Sequence, residues 1–325
     1  MTSVIRKIKT LSIVLISALA FVGVSAQDKF PNKIVRLVVG FPAGSATDVA
    51  ARIVANQMAQ ELGQTFIVEN KPGASSDIAA KAVANSAADG YTLFVLTIAN
   101  VINASSGNPD LVKIDKSFTP ISSIGSVPIL LVANPSLKIN SVKDLISEAK
   151  ANPKSITYAS SGNGTAPHLS GELFAKAANV NILHIPYKGS SQAVTDLLSG
   201  QVNIMFSPAS SVLPQIKAGK LVGLGVASPK RVPSAPEMPT LDESGLKGFE
   251  SSVWFGIVAP AGTPANIVDT LSNGFNRALT SPSVREQFSK QGVVPVEGDS
   301  KMFDQFIQSE LKKWSTVIKE ANVKL

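Results

Sequence analysis

Two nine-residue segments collect glycine, hydroxyl and amide groups at points where a strand is expected to give way to a helix. GFPAGSATD spans residues 40–48, between the apolar run KIVRLVV and VAARIVANQMAQEL. SSGNGTAPH spans residues 160–168, between ITYA and LSGELFAKAA. A helix N-terminus presents unpaired N–H groups and about half a positive charge, so a loop that opens a helix attracts an anion. Two such loops favour a small-anion site built from neutral donors, although either loop alone could be an ordinary capped turn.

Phosphate-binding and catalytic motifs do not fit these residues. Pro167 stands where a dinucleotide fingerprint places its third glycine, and the pair Gly219-Lys220 is followed by leucine. The chain has two histidines and no cysteine, which excludes His-rich and cysteine metal sites. A secreted hydrolase that pairs Ser161 with His168 stays open as a minor alternative, although the motif offers no acid partner. We therefore expect no catalytic residue, no metal and no cofactor.

The first 26 residues have the three parts of a secretory signal. A basic start is followed by the apolar core LSIVLISALAFVGV and by the small residues Val24-Ser25-Ala26, so we expect cleavage after Ala26. A membrane anchor is the alternative, but the apolar run of about 14 residues is shorter than the ~20 that a spanning helix needs. Cleavage leaves 27 basic against 23 acidic residues, a net charge of +4. This mild, dispersed charge is unlike a nucleic-acid-binding surface.

The rest of the chain alternates between strand-like and helix-like segments, which is typical of an α/β protein with parallel sheets covered by helices. Ser141 is expected to open one helix, Thr263 to cap another with Pro264 in its first turn, and Gly200 to close a third. Residues 301–321 place apolar side chains on one helical face. Strand-like segments lie at 33–39, 65–69, 92–96, 129–133, 156–160, 182–185, 202–206, 221–227 and 253–259.

Two stretches rich in Gly, Pro and Ser interrupt this alternation, at residues 118–128 and 243–262. If the chain crosses between two lobes there, the first lobe comprises 27–127 together with 252–325, and the second comprises 128–251. Ligands of such proteins bind between the lobes, at the carboxyl ends of strands. A single large doubly wound sheet is the alternative.

A series of motifs closely resembles the Bug family, the substrate-binding proteins of tripartite tricarboxylate transporters, from residue 30 to 320. The resemblance implies a two-lobed periplasmic binding protein fold of type II with two crossing strands between the lobes. It implies a monomeric, non-enzymatic carrier that captures a small organic carboxylate and delivers it to membrane permease subunits. A sensor that presents the carboxylate to a signalling receptor is the alternative. The motifs are FPAGSATDVAAR, VENKPGASSDIAA, ADGYTLF, ITYASSGNGTAPHLSGELF, HIPYKG, GQVNIMF, PQIKAGKL, PEMPTLDESGLKGFE and APAGTPANIV.

The resemblance also implies which residues hold the ligand. The first loop contributes Phe41, Pro42, Gly44, Ser45, Thr47 and Asp48. The second loop contributes Ser161, Gly162, Asn163, Gly164, Thr165 and His168. Lys188, Phe206 and Ser207 are expected at the rim of the same cleft. Asp48 would repel an anion, so we expect it to cap and orient its helix, and we expect His184 to be a half-buried strand residue.

The chain departs from the family pattern in both motifs of the first lobe. Ser45 replaces a glycine, and Ser75, Ser76 and Asp77 replace two glycines and an asparagine. Added hydroxymethyl groups narrow a loop or supply donors. A carboxylate at Asp77, if it faces the cleft, would disfavour a second negative charge on the ligand. The sequence therefore suggests a ligand other than an ordinary tricarboxylate.

Overall fold

Strands and helices alternate along the chain in the computed structural model, which describes residues 30–187 and 189–320. Residues 30–32 belong to a first unit, which ends at Asn32, and they include a cis peptide bond between Phe30 and Pro31. The second unit begins at Lys33 and contains every strand and helix of the described residues. The expected signal sequence, 1–26, lies outside the described residues. Among the described residues, no helix has the length and apolar character needed to cross a membrane.

The described part of the chain contains ten strands and eleven α-helices. The strands are β1 (Val35–Val39), β2 (Phe66–Asn70), β3 (Thr92–Thr97), β4 (Phe118–Ala133), β5 (Thr157–Ser160), β6 (Leu183–Pro186), β7 (Ile204–Pro208), β8 (Val222–Val226), β9 (Ser252–Pro260) and β10 (Val294–Pro295). The helices are α1 (Ala46–Leu62), α2 (Asp77–Ala84), α3 (Ile98–Ser105), α4 (Ile114–Ser117), α5 (Val142–Ala151), α6 (Ala166–Ala178), α7 (Ser190–Ser199), α8 (Ala209–Lys217), α9 (Ala265–Thr280), α10 (Pro282–Lys290) and α11 (Ser300–Glu320).

The first three strands form a parallel group that sets the position of the first glycine loop. β1 lies between β2 and β3, with Val39 opposite both Asn70 and Val95. Every residue of β3 and all but one of β1 are buried, as expected of strands covered on both faces. The carboxyl ends of the three strands therefore meet at one edge. The loops that lead into α1 and α2 begin there and α3 follows β3 directly, at the edge where ligands of α/β proteins bind.

A second parallel group sets the position of the second glycine loop. β5 pairs in parallel with both β6 and β7, with Tyr158 opposite His184 and Ile204. The segment SSGNGTAPH begins at Ser160, the last residue of β5, and leads into α6. The two glycine loops thus occupy equivalent places, each between the carboxyl end of a parallel strand and the N-terminus of a helix.

The sixteen-residue strand β4 is shared by both groups. Its residues 118–128 pair antiparallel with β9, and its residues 129–133 pair antiparallel with β7 and β8. The result is one ten-stranded sheet in the order β2-β1-β3-β9-β4-β7-β5-β6, with β8 and β10 also paired to β4. The sequence pattern predicts an interruption at 118–128, whereas the structure extends the strand through it.

The small residues of this region have a packing role that explains the difference. A Cβ added to Gly125 would lie 2.9 Å from Val293, and one added to Gly256 would lie 2.3 Å from the ring of Phe303. Both contacts are too close for a side chain, so glycine lets β10 and α11 approach the paired strands. Glycine, proline and serine usually indicate a loop, but here they permit close packing of a strand.

Most of the expected helix boundaries are confirmed. The Ser141 hydroxyl accepts a hydrogen bond from the Asp144 N–H at the start of α5, and Gly200 ends α7 in the left-handed conformation. The expectation for Thr263 as a cap is wrong, because its hydroxyl donates to the Pro260 carbonyl while Pro264 precedes α9. The expected inner face of α11 is buried, including Phe303 and Trp314.

Candidate functional site

The first glycine loop is held by hydrogen bonds around one carboxylate. Asp48 is only 2% exposed, and it accepts the Gly44 N–H at 2.8 Å and the Asn70 amide at 2.8 Å. Arg52, one turn further along α1, pairs with both carboxylate oxygens, at 3.1 and 2.9 Å. The Asn70 amide also donates to the Phe41 carbonyl at 3.0 Å. The end of β2 therefore fixes both ends of the loop.

The carboxylate of Asp48 is stabilised in its charged form. Burial alone would raise its pKa, but the hydrogen bonds from Arg52, Gly44 and Asn70 outweigh burial, so its pKa lies below the usual value. Both oxygens are engaged by groups of the protein. This geometry agrees with the interpretation of Asp48 as a residue that orients its loop and helix.

The remaining residues of the first loop differ in accessibility. The Ser45 hydroxyl accepts the Asp48 N–H at 3.3 Å and caps α1, and Gly44 has a φ of +81°. Pro42 and Gly44 are exposed, and Phe41 and Ser45 are half-buried. Thr47, by contrast, is buried within the first turn of α1. The accessible face of this loop is therefore formed by residues 41–45.

The second glycine loop turns tightly in front of α6. Gly162 and Gly164 have φ values of +128° and +71°, which side chains rarely adopt. The Thr165 hydroxyl donates to the Gly162 carbonyl at 2.7 Å and closes the turn. Asn163 at the tip is exposed, and the Ser161 hydroxyl lies 3.1 Å from that of Ser190 at the start of α7. The loop is thus linked to the N-termini of two helices.

The only two histidines of the chain stack behind this loop, with ring centroids 4.0 Å apart and planes 12° apart. His168 Nδ1 accepts the Gly164 N–H at 3.1 Å. His184 Nε2 lies 2.7 Å from the Ser160 hydroxyl, which accepts the Gly162 N–H at 3.1 Å. Each histidine therefore supports one glycine of the loop, His168 directly and His184 through Ser160.

Both imidazoles are neutral near pH 7. Burial lowers the pKa of His168 to about 4. Burial, together with the charge that His168 would carry, lowers the pKa of His184 to about 4. A neutral His168 has a lone pair on Nδ1 for the Gly164 N–H, whereas its protonated form does not. The sequence singled out His168 but not the contribution of His184, whose partner Ser160 is adjacent only in the folded sheet.

The geometry does not support the hydrolase alternative. The two ring nitrogens of His168 face Gly164 and, at 3.8 Å, Glu172, while the Ser161 hydroxyl faces Ser190. The histidine that does contact a serine, His184, contacts Ser160, and that serine is fully buried. Within the described residues, no group of His, Asp or Glu side chains could hold a metal ion.

Of the three residues expected at the rim, two are buried in the structure and one lies outside the described residues. Phe206 is fully buried and its ring packs against Tyr158 and Phe174, so it belongs to the core behind the loop. Ser207 is also fully buried, and its hydroxyl donates to the Pro208 carbonyl at 3.3 Å. Lys188 lies outside the described residues.

Asp77 corrects one expectation from the sequence. Its carboxylate is buried, accepts the Val112 N–H at 3.1 Å and pairs with Lys81 at 2.9 Å. The charge is therefore neutralised within the protein. Asp77 gives no reason to expect that the site disfavours a second charge on the ligand.

A separate cavity of about 650 Å³ lies beside α5, α8 and β8. Its lining includes Lys143, Lys217 and Met238 but no residue of either glycine loop. Its volume and its mostly apolar lining with a few polar side chains are within the range of small-molecule sites. We place the candidate site at the loops, because their neutral donors and helix N-termini suit an anion, and treat this cavity as the competing location.

Comparison with known proteins identifies the family. Residues 50–323 match the model of the tripartite tricarboxylate transporter family receptor. The chain belongs to this family. Protein BugT of Bordetella pertussis is 37% identical over 312 residues, which cover 94% of this chain and 96% of BugT. The Bug resemblance is thus confirmed, and the chain is a solute-binding receptor of this type.

Two solved relatives of this receptor carry carboxylates. Rpa4515 of R. palustris, solved with adipate, is 35% identical with a TM-score of 0.74, covering 90% of this chain and 99% of that one. MatC of Rhodopseudomonas palustris, with bound malate, is 31% identical with a TM-score of 0.73, covering 89% and 100%. The solved structure of the periplasmic binding protein BugD is 36% identical with a TM-score of 0.74, covering 91% of this chain and 99% of that one, which confirms the expected two-lobed fold class.

Proposed function

We propose that this receptor binds a small organic carboxylate between its two glycine loops. The observation that carries the proposal is the chemistry of the loops: each opens a helix at the end of a parallel strand, and neither contains a lysine or arginine. Arg52, the cation next to the first loop, is already paired with Asp48. Helix ends, hydroxyls and backbone N–H groups hold an anion without a salt bridge, which suits a ligand that must later be released.

The ligand-binding residues in this proposal are those accessible on the two loops. Residues 41–45 would hold one side of the ligand, and residues 161–165 the other. Asp48 and His168 would hold the loops in place without touching the ligand. Phe206 and Ser207 would support the second loop from the core, and Lys188 would approach from the rim.

The proposed division into lobes follows the sheet. The first lobe would comprise 27–127 with 252–325, and the second 128–251, so that β4 passes from one to the other at the point where its pairing changes from β9 to β7 and β8. Closure around the ligand would then be a hinge motion of β4 and the chain that returns near residue 251.

The proposed setting is the periplasm, after removal of residues 1–26. The receptor would act there as a non-enzymatic monomer and pass its ligand to the permease subunits of a tripartite tricarboxylate transporter. Presentation of the bound ligand to a signalling receptor would use the same fold and site, so the choice between these roles depends on the partner.

A thermal-shift panel tests the binding proposal. The purified protein is melted with each of about fifty carboxylates and, as a matched control, with the neutral amide of each. A ligand at 100 times its dissociation constant adds roughly 2.7 kcal/mol, a rise of roughly 4 °C for a chain of this size. We expect a carboxylate to shift the melting temperature and its amide not to. Equal shifts by acid and amide, or shifts by neutral compounds alone, would contradict the proposal.

A further inference from the structure

Ser76 carries a buried hydroxyl that no group of the protein satisfies. Its Oγ is the one buried side-chain oxygen or nitrogen without a hydrogen-bond partner in the described part of the chain, and the residue is 1% exposed. Although Ser76 precedes α2 as its N-cap residue, its side chain makes no capping hydrogen bond. An unpaired buried hydroxyl destabilises a folded protein, so its presence requires an explanation.

The position of this hydroxyl relates it to the first glycine loop. A Cβ added to Gly40 would lie 1.8 Å from Ser76 Oγ, so the hydroxyl rests directly on Gly40. Gly40 follows β1 and immediately precedes Phe41 and the accessible part of the loop. The Ser76 hydroxyl thus lies at the carboxyl edge of the parallel strands, at the positive end of the eight-residue helix α2.

The carboxylate next to Ser76 in the sequence is engaged elsewhere in the protein. Asp77 is directed to Val112 and Lys81 rather than to Ser76. The backbone at Ala74, Ser75 and Ser76 has φ values of +46°, +49° and +78°, which glycine adopts with less strain.

We propose that the Ser76 hydroxyl donates a hydrogen bond to an anionic oxygen of the ligand. This inference rests on the proposed function and names its ligand class: a dicarboxylate, one carboxylate of which is held between residues 41–45 and residues 161–165 and the other by Ser76. Ligand binding then satisfies the hydroxyl that the ligand-free protein leaves unpaired. Ser76 is a specificity-determining residue, because a monocarboxylate has no oxygen to offer it.

Calorimetric titration with adipate, malate and hexanoate tests this assignment in two matched variants. Ser76→Ala removes the hydroxyl and keeps the Cβ. We expect it to weaken the dicarboxylate bound by the wild type about tenfold or more, and to leave hexanoate unchanged. The melting temperature of the ligand-free variant should rise by about 2 °C, because the unpaired group is gone. Ser75→Ala makes the same change on the neighbouring exposed residue and should alter neither quantity.

If Ser76 had only a structural role, Ser76→Ala would not raise the melting temperature and weaken dicarboxylate binding at the same time. The inference is overturned if Ser76→Ala binds the dicarboxylate as well as the wild type does, or if Ser75→Ala loses as much affinity. It is also overturned if the wild type binds neither adipate nor malate. In that last case the thermal-shift panel of carboxylates and amides decides whether the proposed function fails as well. A rise in melting temperature with any other carboxylate would still support carboxylate binding.

Discussion

At the scale of single residues, the glycine loops depend on side chains that the sequence places far away. Gly164 is supported by His168 four residues later, but Gly162 depends on His184 through Ser160, and Asp48 depends on Asn70 at the end of another strand. These partners are polar groups whose hydrogen-bonding capacity is used inside the protein. The loops are therefore preorganised, which lowers the entropic penalty of binding.

Two substitutions of His168 distinguish the effect of its hydrogen bond on carboxylate affinity from the effect of its stacked ring. His168→Phe keeps a stacking ring but leaves the Gly164 N–H without its acceptor, and His168→Asn places an amide oxygen near the position of Nδ1. If the acceptor sets the loop conformation, carboxylate affinity falls by about tenfold or more in His168→Phe and much less in His168→Asn. Calorimetry measures both affinities. An unchanged affinity in His168→Phe would show that the hydrogen bond does not shape the site.

The histidine pair also predicts how stability depends on pH. Both pKa values fall from 6.5 to about 4 on folding, so the unfolded chain binds more protons between these values. Stability is then full above about pH 6.5 and decreases as the pH falls toward 4. Thermal melts from pH 8 to pH 4 measure this slope. His184→Gln, which keeps a polar partner for Ser160 but does not titrate, should show a shallower decrease, and an identical slope would contradict this origin.

The sequence was sufficient for the loops but not for their supports. Residues 40–48 and 160–168 were recognisable because glycine, hydroxyls and helix starts are local signals. Asn70, Ser160 and His184 were not, because their roles arise only when β2 pairs with β1 and β6 pairs with β5. The sequence likewise left open whether Asp77 faces the cleft, since its partner Val112 is distant in sequence.

At the scale of elements, α11 is fastened to β9 by a buried carboxylate. Glu310 is 4% exposed, and one of its oxygens accepts the indole N–H groups of Trp254 at 2.7 Å and Trp314 at 3.0 Å. Its other oxygen pairs with Lys313. The helical period of the sequence indicates this burial, because Glu310 lies on the same face of α11 as Phe303, Ile307 and Trp314.

Replacing Glu310 tests this connection. Glu310→Leu leaves both indole N–H groups buried without an acceptor, so we expect a loss of about 2–4 kcal/mol in the free energy of unfolding. Glu310→Gln keeps an amide oxygen and should lose clearly less. Urea unfolding followed by tryptophan fluorescence measures both, because the chain has only these two tryptophans. Equal stability of the two variants would mean that the indole hydrogen bonds contribute nothing measurable.

The strand β4 shows where prediction at the element scale fails. The segment FTPISSIGSVP has the composition of a loop, yet all of it is strand, with irregular register between Pro120 and Ser122 and between Ser123 and Gly125. Its glycine and serine positions are set by contacts with β10 and with residues near 298. Such long-range packing leaves no periodic signal in a single sequence.

At the scale of the whole molecule, the alternation of strands and helices was enough for the α/β class, and the family resemblance supplied the two-lobed architecture. The exact lobe boundaries stay a prediction. The shared strand β4 offers a physical basis for hinge motion, because one continuous strand joins the group that carries the first loop to the group that carries the second.

The most direct test of the two-loop site is a crystal structure of the protein with the carboxylate that stabilises it most. We predict that the carboxylate oxygens lie within hydrogen-bonding distance of residues 41–45 on one side and residues 161–165 on the other. A ligand seated instead in the cavity beside Lys143 and Met238, or bound to one loop alone, would contradict the proposal that the two glycine loops form a single anion site.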